Sequence, residues 1–209
     1  MSDISPAKIM KDVAHSIPSR FHKLIVVVGS LAAGFHYFRN DEDREVRTKD
    51  IDCMVSPRVE AVAAGEITDY LLDHGWEPKP HEGRTFPAPP ETPEGELPVI
   101  RLYPPKSRGW FLEFLTTPDP ENENPQQWLR VELKGGHAGL ASFRYLSLTD
   151  FEPLPTKYGI KYAQPATMAL ANLLSHKMIG PEVMSAKIGG REIKRSNKDL
   201  GRVLALARL

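Results

Sequence analysis

Leu24-Ile25-Val26-Val27-Val28-Gly29-Ser30, followed further on by Thr48-Lys49-Asp50-Ile51-Asp52-Cys53-Met54-Val55, is the stretch whose reading decides the fold. An unbroken apolar run ahead of Gly-Ser predicts a buried strand that turns directly into a helix. The second segment predicts a strand that carries two carboxylates with one residue between them. Side chains alternate across a strand, so Asp50 and Asp52 share one face while Ile51 and Cys53 take the other. Two like charges held side by side repel unless a cation stands between them. Carboxylate oxygens select a hard divalent ion, Mg²⁺ or Mn²⁺. A Gly-Ser turn at a helix N-terminus offers backbone N–H groups to an anion such as phosphate. A phosphate cradle beside a divalent-metal site is the minimal apparatus for moving a phosphoryl or nucleotidyl group.

Outward from this pair the pattern is mixed. Ser5-Pro6 is a capping and first-turn pair, and Ile9, Val13 and Ile17 recur on one helical face until Pro18. Leu31 to Phe38 predicts the helix after the turn, and residues 39–47 a charged, solvated connection to a strand at 50–55. A helix is expected from Val59 to His74, with Val62, Ala63, Ile67, Tyr70 and Leu71 on its apolar side and Gly75 as its stop. Nine of the 19 prolines fall between Pro78 and Pro105, which excludes a long helix and leaves short strands near 97–103. Strands are expected at 109–115, with Glu113 among apolar neighbours, and at 143–148. From Gln164 the pattern is helical, with Met168, Ala169, Leu170, Leu173, Leu174 and Met178 as an apolar stripe. A second helical stretch from Asn197 to Leu209 has no stop signal, as in a truncated chain. The expected class is α/β (α+β): a mixed sheet with flanking helices in residues 1–150, and a C-terminal helical bundle in residues 151–209.

Composition narrows the function classes. The chain has 209 residues, and its 27 basic and 27 acidic side chains cancel, so net charge gives no argument for wholesale coating of nucleic acid. Between Lys187 and Arg202, however, six Lys or Arg stand against two acids. The lone Cys53 rules out an internal disulfide, and its apolar setting reads as a small core side chain. No apolar run is long enough to span a bilayer and the N-terminus lacks a signal-peptide core, so a cytoplasmic location is expected. The seven histidines have no metal-ligand spacing. Trp76, Trp110 and Trp128 read as core or rim packing, and no Gly-x-Ser-x-Gly surrounds Ser30.

Gly29-Ser30 with Asp50-x-Asp52, Thr48 two residues ahead and a third acid on a later strand resemble the nucleotidyltransferase superfamily of DNA polymerase β. His176-Lys177-Met178 on the apolar helix and Asn197-Lys198-Asp199-Leu200 beyond it look like the helical part of AbiEii-type toxins. Those are members of the superfamily found in type IV toxin–antitoxin systems. The resemblance implies a nucleotidyltransferase-type fold and transfer of NMP from an NTP to an acceptor hydroxyl on RNA or tRNA. It further implies an antitoxin protein as partner; the absence of a long apolar run implies no membrane. Asp50, Asp52 and Glu113 would hold Mg²⁺ or Mn²⁺, with Glu113 also orienting the attacking hydroxyl. Gly29, Ser30 and Thr48 would form the nucleotide site, Lys177 would hold the phosphates, and Asp199 would lie near acceptor or nucleotide. Lys187, Arg191, Lys194 and Arg195 would lie along the RNA backbone.

Plainer readings stand beside these. Gly29-Ser30 is also a simple strand-to-helix turn, Lys177 a snorkelling lysine, Asp199 a partner for Arg195, and the basic run a solvated face. The whole domain also reads as a non-catalytic nucleotide-binding or regulatory module on the same fold.

Overall fold

In the computed structural model the described residues are 3–41, 45–80, 83–105, 107–124 and 126–179, with the single positions 183, 192, 194, 201, 203 and 204. The chain opens with β1 (Asp3–Ile4) and α1 (Pro6–Ser16), then β2 (Ile25–Val27), α2 (Gly29–Phe38), β3 (Val46–Arg47) and β4 (Asp50–Val55). It continues through α3 (Ala63–Asp73), β5 (Glu77–Pro78), β6 (Arg101–Tyr103) and β7 (Phe111–Thr116). The last elements are β8 (Gln126–Leu133), β9 (Gly136–Phe143), β10 (Leu154–Pro155), β11 (Lys161–Tyr162) and α4 (Pro165–Ile179).

Nine strands form one mixed sheet in the order β10-β11-β2-β4-β7-β6-β5, with β9 joined to β7 and β8 to β9. β2 runs antiparallel to β4, while β4 and β7 are parallel. The apolar run Ile25–Val28 is wholly buried because β2 is interior to the sheet and covered on both faces. β4 and β7 share another pattern: Ile51, Cys53, Leu112 and Phe114 are buried, whereas Asp50, Asp52, Phe111 and Glu113 are half-buried on the alternate face. That alternation leaves a polar row on an otherwise apolar pair of strands. α1 packs on α2 and α2 on β4, while α3 covers β8.

Several expectations change. The predicted helix 59–74 begins only at Ala63, after a 3₁₀ turn at Arg58–Glu60, and Val62 and Tyr70 are exposed rather than on its core side. The strand expected at 143–148 is a 3₁₀ turn over Leu146–Asp150. Its place is taken by the unpredicted β8–β9 hairpin, paired from Gln126↔Phe143 to Leu133↔Gly136. The stripe expected on α4 is narrower, since Met168 and Ala171 are buried but Leu170, Leu173 and Leu174 are exposed. Residues 154–162 extend the sheet through β10 and β11, and α4 starts at Pro165, in line with the helical pattern expected from Gln164. Of the expected bundle, α4 is described, Gly201, Val203 and Leu204 are helical, and Lys194 instead bridges Val183 in strand fashion. No helix among the described residues is long and apolar enough to cross a membrane.

Candidate nucleotide and metal site

β2 ends at Val27, and Val28 extends the ladder by donating its N–H to Asp52 O at 2.9 Å. Gly29 then turns the chain into α2 with φ +71°, a left-handed value that a residue without a Cβ adopts readily. The same glycine lies against the acid: a Cβ built there would stand 2.6 Å from Asp52 Oδ2. The Gly-Ser turn and the second aspartate are therefore in contact across neighbouring strands, with Ser30 as the second residue of α2. No side chain caps α2 from Val28. A carboxylate at this helix N-terminus is favoured by the partial positive charge there.

Asp50 is fixed from behind. Thr48 is buried and donates its hydroxyl to Asp50 Oδ1 at 2.7 Å and to the Asp50 carbonyl at 3.1 Å. On the opposite face of β4, next after Asp52, Cys53 is fully buried; burial and the neighbouring Asp52 charge push its thiol pKa well up, so it is an inert core side chain.

Parallel register puts Asp50 beside Phe111 and Asp52 beside Glu113, so all three acids project from one face. Glu113 is already engaged. Arg101, its register partner on β6, donates Nε to Oε2 at 2.7 Å and Nη2 to Oε1 at 3.2 Å. This two-pronged pair is the strong form of Arg–carboxylate contact. Among the described residues no group of three or more His, Cys, Asp or Glu converges as a metal-holding set. The donor chemistry of Asp50 and Asp52, hard oxygens on one face with Asp50 held by Thr48, fits a magnesium or manganese ion. Glu113, bound through both oxygens to a guanidinium, is not a third ligand in this arrangement.

Beyond Glu113 the row turns basic. Lys79 donates its N–H to Arg101 O at 2.8 Å, continuing the β5–β6 register, and its Nζ sits 4.4 Å from the centre of the Phe111 ring. Burial lowers the Lys79 pKa, and Arg101 lowers it further, against partial support from Glu113 and Asp50. Sequence reasoning missed both cations, because only the pairing of distant strands brings positions 79, 101 and 113 together.

Lys177 lies near the C-terminal end of α4. Lys194 is exposed. Asp199, Lys187, Arg191 and Arg195 fall outside the described residues. Two surface hollows, one bordered by Pro57, Thr117 and Arg144 and the other by Lys8, Trp76 and Trp110, include none of the three acids among their described lining residues. Trp76 and Trp110 are buried edge-to-face at 5.7 Å, as packing residues. Compared with known protein families, with curated proteins and with solved structures, the chain matches none.

Proposed function

We propose that the chain is a nucleotidyltransferase of the DNA polymerase β-like type, moving NMP from an NTP to an acceptor hydroxyl on RNA or tRNA. The observation that carries this reading is the contact between turn and acid. Gly29, at φ +71°, lies so close to Asp52 that a Cβ there would stand 2.6 Å from Oδ2, which supports a phosphate-binding turn and a metal-binding carboxylate side by side. In support, Thr48 locks Asp50 on the same face and Glu113 stands in register beside Asp52.

In this reading the N–H groups of the turn and the Ser30 hydroxyl bind the outer phosphates. Asp50 and Asp52 hold Mg²⁺ or Mn²⁺, with Thr48 fixing the first of them. The bound ion supplies neutralisation of charge on the triphosphate. Glu113, once Arg101 lets go, orients the attacking hydroxyl. Lys177 and Asp199 keep the roles implied by the resemblance, as do Lys187, Arg191, Lys194 and Arg195 along the RNA. A cytoplasmic toxin restrained by an antitoxin is the biological setting that goes with this chemistry, and growth arrest on expression is its sign.

The test is incubation with each of the four labelled NTPs, total tRNA and Mg²⁺, comparing the native chain with Asp52→Ala. Labelled RNA from the native chain alone is the expected result. No label on RNA or protein with any NTP, or equal labelling by the variant, defeats the reading. One observation favours the non-catalytic module instead: the Arg101 fork on Glu113 leaves the acid set one member short. Calorimetric NTP binding without turnover would select it.

A further inference from the structure

The register of the sheet lines up Asp52, Glu113, Arg101 and Lys79 in one row across β4, β7, β6 and the chain just after β5. The row reads acid, acid, base, base. The Gly29-Ser30 turn touches Asp52 from the β2 side, so it stands at the end opposite the two cations. In nucleotidyl transfer the attacking and leaving oxygens lie roughly in line through the phosphorus. With the outer phosphates on the Gly29 side, as the proposed function has them, the acceptor must approach from the Glu113–Arg101–Lys79 side.

That side is built for an anion with a ring system. No carboxylate stands within ion-pair distance of Lys79 Nζ among the described residues, and the ammonium instead rests on the Phe111 ring. Phe111 packs edge-to-face with Tyr103 at 6.0 Å, and Arg108, paired with Glu77, covers the Tyr103 ring at 4.7 Å. Cations interleaved with half-buried aromatic rings are the usual surface for a single nucleic-acid strand, where charge follows the backbone and rings meet bases. The cost of burying the Lys79 ammonium, which lowers its pKa, is offset by the opposite charge of an arriving phosphate.

We propose that Lys79 and Arg101 form an anion subsite that takes a backbone phosphate of the acceptor strand, next to its reacting hydroxyl. The assignment rests on the nucleotidyltransferase reading for its direction of approach, though not for its measurement. Binding of phosphate by Arg101 also draws the guanidinium off Glu113, so loading of the acceptor frees the carboxylate that the transfer needs.

The experiment is fluorescence anisotropy on the full chain with a fluorescein-labelled single-stranded RNA bearing a free 3′-hydroxyl, in EDTA without NTP, over a KCl series. Lys79→Gln is expected to weaken RNA binding about tenfold and to flatten the log–log salt slope by about 0.7–0.9, one phosphate contact, while Lys79→Arg restores both. ATP affinity by calorimetry with Mg²⁺ is expected to stay put in the same variants. A thermal melt of each variant separates lost binding from lost fold. Wild-type affinity and slope in Lys79→Gln overturn the subsite, as does a native chain that binds no RNA while labelling a protein acceptor. Loss of ATP binding instead of RNA binding overturns it too, and gives the pair to the triphosphate. If RNA binding depends on Lys79 but the native chain labels nothing, the transferase reading fails and the subsite stands.

Discussion

An alanine methyl at position 29 would stand 2.6 Å from Asp52 Oδ2, on a backbone whose φ of +71° already disfavours any Cβ. The left-handed conformation alone costs about 1–2 kcal/mol, which for a chain of this size lowers Tm by about 2–8 °C. The contact adds to that by displacing the carboxylate. Gly29→Ala is therefore expected to melt lower and to lose nucleotide labelling more completely than its stability loss explains. Calorimetry and the labelling assay read the two effects; a variant with native Tm and native labelling refutes the contact. Thr48 offers a gentler probe. Thr48→Val keeps the shape but removes the 2.7 Å hydroxyl bond to Asp50 Oδ1, and loss of a group that orients a metal ligand typically costs 10–100-fold in affinity or activity. The Mg²⁺ concentration for half-maximal labelling should rise by about that factor, with Thr48→Ser near native. At this scale the placing of Asp50 and Asp52 on one face was legible, because strand alternation is local. The Arg101 fork was not, since nothing near Glu113 in the chain marks a partner on another strand.

Element boundaries held where the pattern was local and failed where tertiary packing decided. β4 over Asp50–Val55 and α1 over Pro6–Ser16 follow their periodicity. The β8–β9 hairpin escaped because β9 is rich in small residues, Gly136, Ala138, Gly139, Ala141 and Ser142, with weak strand propensity. Those small residues make room: a Cβ on Gly139 would lie 3.1 Å from the Trp128 ring and 3.2 Å from Leu97 Cβ. The Gly135-Gly136 pair at the hairpin, Gly135 in the two-residue turn and Gly136 opening β9, was the signal available for it. The partner element shows the same logic. Gly65 lies in α3, where alanine would gain about 1 kcal/mol of helix propensity. Its added methyl, however, would stand 2.3 Å from the Glu132 backbone oxygen on β8. Backbone cannot rotate away as a side chain does, and overpacking of this kind costs about 1–3 kcal/mol or more. Gly65→Ala should thus lower the urea midpoint, whereas Glu66→Ala beside it, whose pair with Arg20 is exposed, should move stability by less than about 0.5 kcal/mol. A stabilised Gly65→Ala chain would mean that α3 does not ride this closely on β8.

For the whole molecule, the expected division at residue 150 can be tested by cutting there. β11 pairs in parallel with β2, Lys161 beside Val26 and Tyr162 beside Val27, and Ala163 N–H donates to Val27 O at 2.9 Å. Ile160, Tyr162, Ala163 and Met168 are buried in the same core as β2, and Tyr162 meets Phe35 of α2 edge-to-face at 5.2 Å. Burial of Ile160, Tyr162 and Met168 is worth roughly 1.5–3 kcal/mol for each large side chain. That is comparable with the whole net stability of a domain, about 5–15 kcal/mol. Removal of residues 151–209 also turns β2, the most apolar strand in the sheet, into an open edge, which invites pairing between chains. The fragment 1–150 is therefore expected to aggregate or to melt without a cooperative transition, whereas the full chain melts in one step. Size-exclusion chromatography and near-ultraviolet circular dichroism decide it. A monomeric fragment that melts cooperatively near the Tm of the full chain would show that the turn and the acids stand on a sheet complete without β11. It would then restore the boundary that hydrophobic patterning placed at residue 150.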